Sequence, residues 1–202
     1  NVAIGDSSLF SNGFNATSVE AIYNTAIGSK ALYSNTKGLA NTSIGFNTLP
    51  HNVTGNWNTA IGMSALFTNT TGSRNTGIGV GTLYFNTGGS NNIAIGNYAL
   101  AFNSGSSNIV AIGDSSLYSN GAGASPTQAI MNTAVGSKTL FSNTIGRFNT
   151  ALGFHTLKDN VSGDYNTAIG KQALESNTTG YNNVALGADA LFINTIGHGN
   201  IA

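Results

Sequence analysis

Asn24-Thr25-Ala26-Ile27-Gly28 decides the fold, because the chain writes it again and again. Repetition at a fixed period is the sequence mark of stacked architectures and takes precedence over any local reading. The glycines that close the copies are Gly5, Gly28, Gly45, Gly62, Gly79, Gly96, Gly113, Gly136, Gly153, Gly170 and Gly187. The step from one to the next is seventeen, as from Gly28 to Gly45, except for two longer steps, Gly5 to Gly28 and Gly113 to Gly136.

Other columns keep the same phase. The residue before each closing glycine is Ile, Val or Leu, and the one before that is small (Ala26, Ser43, Ala60, Gly77). Four after the glycine stands Leu in every copy, including Leu32, Leu49 and Leu66. Seven after stands Asn in every copy, including Asn35, Asn52 and Asn69. Ten after stands Gly in nine of eleven, with Asn15 and Ser106 in its place elsewhere.

Alternation over a few residues, as in Asn-Thr-Ala-Ile-Gly, is strand behaviour. So short a strand buries nothing by itself, but stacked on the next copy at about 4.8 Å it can. Seventeen residues suffice for one lap, so the chain reads as an all-β parallel β-solenoid, or β-roll, of about eleven 17-residue coils. Gly and Asn are expected at its corners, where left-handed backbone is tolerated. The Leu and Ile columns are expected to form stripes of core, and the Asn columns amide ladders along the axis. The second half of each coil, such as Ser29–Asn35, reads as a second short strand or as one helical turn. The strand is preferred, because Asn, Thr, Ser and Gly are poor helix formers.

The two longer steps add a second order. Each carries six extra residues, within 13–23 and within 121–131. Residues 1–94 match residues 109–202 at 54 of 94 positions. The unit of duplication is therefore a six-coil block, 1–108 followed by 109–202. No linker separates the blocks, so 1–202 is one repeat domain, with similar bulges roughly 29 Å apart on one side.

The cleanest copies, Asn58–Gly72 and Asn166–Gly180, resemble repeats of bacterial and phage surface fibres. They are similar to the Asn-x-Ala-Ile-Gly repeats of YadA-type heads in trimeric autotransporter adhesins. That resemblance implies three chains wound side by side, a place at the cell surface or on a virion fibre, and binding to host surfaces or matrix. The chain begins on one copy and stops inside another, which reads as a segment of a longer polypeptide.

Bulk chemistry narrows the function. Seven basic and seven acidic residues leave a net charge of zero, with no electrostatic footing for nucleic acid. There is no Cys for disulfides or metal, and no run of about 18 apolar residues for insertion into a membrane. His51, His155 and His198 sit at different phases without a nucleophile at regular spacing, so they read as surface histidines. The Gly-Gly-x-Gly-x-Asp signature of calcium-binding rolls is missing. Neither a catalytic residue nor a cofactor is assigned, and the protein reads as non-catalytic.

Two columns could serve recognition. Five after the glycine the residue is mostly aromatic: Phe10, Tyr33, Phe67, Tyr84, Tyr118, Phe141 and Phe192. An aromatic stripe along a rod reads as a seam for a second copy. The loop before each strand is the most variable part and carries Trp57, Arg74, Arg147, Phe148, Tyr165 and Tyr181. Large aromatics with Arg at variable exposed places suit contact with a ligand such as a cell-surface glycan. The leading expectation is a fibre or filament segment that associates with itself, by trimerisation or end to end, and adheres. A carbohydrate-binding module and an ice-binding solenoid, the latter through the Thr25, Thr42, Thr59, Thr76 column, stand as alternatives.

Overall fold

The computed structural model describes all 202 residues, and each pentad becomes a strand of three. In chain order these are β1 (Val2–Ile4), β2 (Thr25–Ile27), β3 (Thr42–Ile44), β4 (Thr59–Ile61), β5 (Thr76–Ile78), β6 (Ile93–Ile95), β7 (Val110–Ile112), β8 (Thr133–Val135), β9 (Thr150–Leu152), β10 (Thr167–Ile169) and β11 (Val184–Leu186). They form one parallel sheet in sequence order, and like stands on like: Thr59 opposite Thr76, Ile61 opposite Ile78. The sheet crosses the boundary between the duplicated blocks unbroken, from β6 to β7 to β8. A chain of this composition makes one all-β solenoid.

The strands are only a small share of the ladder. Of 125 backbone–backbone hydrogen bonds, 20 lie within strands, so the laps are held together mostly by the connecting turns. Here the expected second strand is absent, and so is a helical turn. The stretch from the closing glycine onward is a run of turns in which alternate residues are left-handed. In the coil after Gly62, Ser64 has φ 56° and Leu66 has φ 53°. The reversals aim the amides of successive left-handed residues at opposite neighbours, while the Ala65 N–H between them bonds to Gly62 O within the lap. Ser64 N–H donates to Phe46 O on the preceding lap, and Leu66 N–H donates to Thr82 O on the following one. A helix would close these bonds within the lap, and an extended strand would turn Leu66 away from the interior. Left-handed backbone costs a non-glycine residue on the order of 1 kcal/mol, which burial of each Leu offsets.

The corners match expectation in part: the closing glycines have the expected positive φ, as at Gly28 (φ 125°) and Gly62 (φ 121°). The Asn columns are not where the left-handed backbone is concentrated; the Leu column and the loop column that holds Trp57 (φ 55°) and Arg74 (φ 57°) are. Gly55 is needed for room instead: a Cβ there would collide with Asn52 Oδ1 and with Gly72 O of the next lap.

Which side of the strand faces inward is a further correction. In every strand but β1 the middle residue is buried (Ala26, Ser43, Ala60), whereas its Thr and Ile neighbours are half-exposed or exposed. The Ile column is thus an outer surface and not a stripe of core. So short a lap encloses a narrow bore, and small residues are what fit where the sheet lines it. The bore is filled by the Leu column, with Leu32, Leu49, Leu66 and Leu83 wholly buried in one cluster with the alanines. Beside it run two columns of buried asparagines.

Each amide in those columns has a fixed assignment. Asn52 Nδ2 donates to Asn35 Oδ1 at 2.8 Å and to Gly55 O at 2.9 Å, and Asn69 Nδ2 donates to Asn52 Oδ1 at 2.9 Å. In the second column Asn41 Oδ1 accepts the Asn58 backbone N–H at 2.9 Å, while Asn58 Nδ2 reaches Gly72 O at 2.8 Å. Buried amides are tolerable only when satisfied in this way. Both ladders break near the block junction, one between the sixth and seventh laps and the other at Ile109, whose N–H still bonds to Asn92 Oδ1 at 3.1 Å but whose side chain offers no oxygen to the eighth lap. Ile109 replaces the Asn of one column, and in the other Asn120 Nδ2 turns to Ala129 O, leaving Asn103 Oδ1 buried without a partner.

Candidate recognition surface

Three exposed columns could meet a ligand or a partner. The first is the outer face of the sheet. Its Thr and Ile positions over eleven strands contain no charged residue, and they run from half-exposed (Thr59, Ile61) to openly exposed (Ile93, Ile95, Leu152, Val184).

The second is the expected aromatic seam. It is not a row of free rings, because its members stack on each other one lap apart. Phe10 lies on Tyr33 with centroids 5.1 Å apart, Phe67 on Tyr84 at 4.8 Å, and Tyr118 on Phe141 at 5.1 Å. Ala101 interrupts the column, and Phe85 and Phe102 from the neighbouring phase bridge the gap. An open apolar depression of about 360 Å³ lies over Tyr84, Phe85, Tyr98 and Phe102. Phe192 stands alone beyond a polar interval. There Lys158 and Glu175 occupy the column, 3.6 Å apart, and His155 Nδ1 approaches Glu175 at 3.4 Å. Phe85 and Phe102 escape a reading confined to one phase; their own spacing of one repeat is the clue.

The third column is the loop before each strand. The structure divides its residues into two groups rather than one surface. Trp57 and Arg74 form the first, with the guanidinium carbon 4.9 Å from the indole centroid. Four laps on, Phe148 and Tyr165 stack at 4.8 Å, and Arg147 leans on Phe148. Tyr181 sits one phase over and stacks on His198 at 4.7 Å. Each pair is separated by one repeat, so the period announces it.

Between Tyr165 and Tyr181 is an open cavity of about 330 Å³, which Ser162, Asp164, Thr179 and Asn182 complete. Asp164 is held in place. Its Oδ1 accepts the Arg147 backbone N–H at 2.8 Å, and its Oδ2 lies 3.4 Å from Arg147 Nε. The Asn182 backbone N–H donates to Asp164 O at 3.1 Å. Asp164 and Asn182 carry no signal as site residues in the sequence, where they look like ordinary loop polarity; only their place beside two aromatic rings sets them apart.

No protein-family model, no curated protein and no solved structure matches this chain.

Proposed function

We propose that the chain is a rigid segment of an extracellular fibre that packs against copies of itself through the outer face of its sheet and presents its loop column to a ligand. One observation carries this reading: the uncharged Thr–Ile face, in register over eleven strands and so roughly 48 Å long. Monomeric proteins rarely leave so large a contiguous apolar surface in water. Flat and periodic, it complements another copy of itself. The stacked interior supplies stiffness, since every lap bonds to both neighbours. The aromatic column is a second surface for the same kind of contact, shorter because Lys158 and Glu175 interrupt it. Sedimentation and electron microscopy test the proposal. Elongated particles of a multiple of 20.6 kDa are expected, and Ile61→Lys with Ile78→Lys should release folded monomers. Compact monomeric particles from the unaltered chain would count decisively against a fibre.

A second reading rests on the same face. Thr42, Thr59 and Thr76 stand in register and half-exposed, as do Thr133 and Thr167. Regular hydroxyl and methyl groups on a flat surface could order water like an ice plane, although Ile93 and Val110 break the column. Thermal hysteresis in a cooled solution, lost on Thr59→Lys, would favour ice over self-association.

A further inference from the structure

The two stacks in the loop column end facing one another. The ring of Tyr165 is covered on the side of Phe148, one lap before it. One lap after it, at the same phase, stands Asn182, exposed and too small to cover a phenol ring. The ring of Tyr181 is covered on the other side, by His198, and the preceding lap places Asp164 at its phase. Rings stacked along the axis turn their remaining faces along the axis. The uncovered faces of Tyr165 and Tyr181 therefore border the same lap-to-lap step, displaced by one residue. Asn182, Ser162, Thr179 and Asp164 line that step, the Asp164 carboxylate being held toward Arg147 of the preceding lap. Both tyrosines are well exposed, at 52% and 45%.

The first block shows what such a step accepts. When the two blocks are aligned, Tyr165 corresponds to Trp57 and Asn182 to Arg74. There the guanidinium lies over the indole and takes the place of the missing ring. The second block has the same aromatic platform with the place left open. A π face attracts the polarised hydrogens of whatever covers it, whether they belong to a cation or to the C–H face of a sugar ring. An amide and two hydroxyls around it match the equatorial hydroxyls of such a ring. A flat aromatic ligand would leave Asn182, Ser162 and Thr179 without use. A free cation would meet Asp164 already paired with Arg147.

We propose that the step between Tyr165 and Tyr181 binds one pyranose ring of a neutral glycan. The sugar stacks on the open face of Tyr165, and its hydroxyls exchange hydrogen bonds with the Asn182 amide and the Ser162 and Thr179 hydroxyls. A cavity of about 330 Å³ is at the lower end of ordinary ligand sites, which fits one ring of a longer chain lying across the rod. The assignment rests on the adhesive part of the function proposed above and not on how the rods associate.

The test is calorimetric titration of the full chain with methyl glucoside, galactoside, mannoside and N-acetylglucosaminide, followed by an array of neutral oligosaccharides. Saturable binding at one site per chain is expected for at least one of these probes. Tyr165→Ala and Asn182→Arg should each weaken it by about tenfold or more, with the circular dichroism unchanged. Asn182→Arg reproduces the closed arrangement of the first block. Conversely, Arg74→Asn should uncover Trp57 and add a weaker second site. Absence of binding to every probe, or binding indifferent to both variants of the second block, overturns the assignment. Elongated particles in the same preparation would then show the site failing while the fibre stands. Sugar binding by compact particles would show the reverse.

Discussion

The two duplicated blocks are nearly identical inside and differ outside. Leu66 and Leu174, Asn69 and Asn177, and Gly55 and Gly163 are paired by the duplication and sit in the same surroundings. On the surface, Trp57 becomes Tyr165, Arg74 becomes Asn182 and Lys37 becomes Ile145. The interior is constrained twice over, because each residue must fit its own lap and the laps on either side. An outward residue answers to its stacking partner alone, and aromatic pairs, an ion pair and a cation over a ring all satisfy a step of about 4.8 Å. A rod of this kind can therefore change what it presents without changing how it stands.

The sharpest way to break that contrast is to make the same cut inside and outside. Leu66→Ala and Leu174→Ala should each cost about 3 kcal/mol, since both leave a cavity in a narrow bore with little room to collapse. Ile61→Ala, on the half-exposed outer face, should cost less than about 1 kcal/mol in the monomer. Chemical unfolding monitored by circular dichroism measures all three. Equal losses at Leu66 and Ile61 would mean that the outer face is core after all, either within the lap or against another copy, and dilution would distinguish the two cases.

The amide ladder gives the next largest effect and a contrast within it. Asn69→Ala removes the only donor to the buried Asn52 Oδ1, so about 2 kcal/mol is expected. Asn103 already has an unpaired oxygen at the block junction, and nothing donates to it from the following lap. Asn103→Ala also strips the only donor from a buried oxygen, Asn86 Oδ1, and loses the bond to Ser106 O, but it removes the orphaned Asn103 Oδ1 as well, so its net cost should be lower, about 1 kcal/mol. Native-state hydrogen exchange should find the backbone amides near Asn103 less protected than those near Asn69. Uniform protection would deny the junction any special weakness.

Much of this is legible from the period. The lap length, the parallel register and the amide ladders all follow from Leu and Asn returning at fixed phase, because stacking at one spacing leaves few alternatives. The inward side of the strand is not legible. Alternation shows that Thr and Ile share a side opposite to Ala, but hydrophobicity favours the wrong side: the narrow bore admits Ala26 and excludes Ile27. The turn half of the lap is hidden for a related reason. Leucine has no intrinsic preference for φ near +50°, and the conformation of Leu66 is set by bonds to laps on both sides. The pairing of Trp57 with Arg74 can be read from their separation by one repeat. That Tyr165 lacks such a cover can be read only against its counterpart.

The smallest effect belongs to the two inserted loops, where the surface contrast reaches a single titrating group. Both loops close the same turn. The Thr17 N–H donates to Glu20 Oε2 at 2.7 Å in one, and the Ser125 N–H donates to Gln128 Oε1 at 3.1 Å in the other. The Thr17 amide is the main reason that the Glu20 carboxyl is held below its ordinary range, and Lys37, 3.7 Å away, adds to it. A carboxylate with a depressed value in the folded chain stabilises its loop above the unfolded value, and that contribution disappears as pH falls through the folded one. The first loop should therefore loosen in acid, seen as an upfield-moving Thr17 amide proton, while the Ser125 amide stays where it is. Lys37→Ile, which copies Ile145 of the second block, should move the Thr17 midpoint only slightly upward because the amide remains. Glu20→Gln should abolish the titration and leave two loops that no longer differ in their response to pH. If Lys37→Ile erased the shift entirely, the ion pair and not the backbone amide would be what holds the first turn closed.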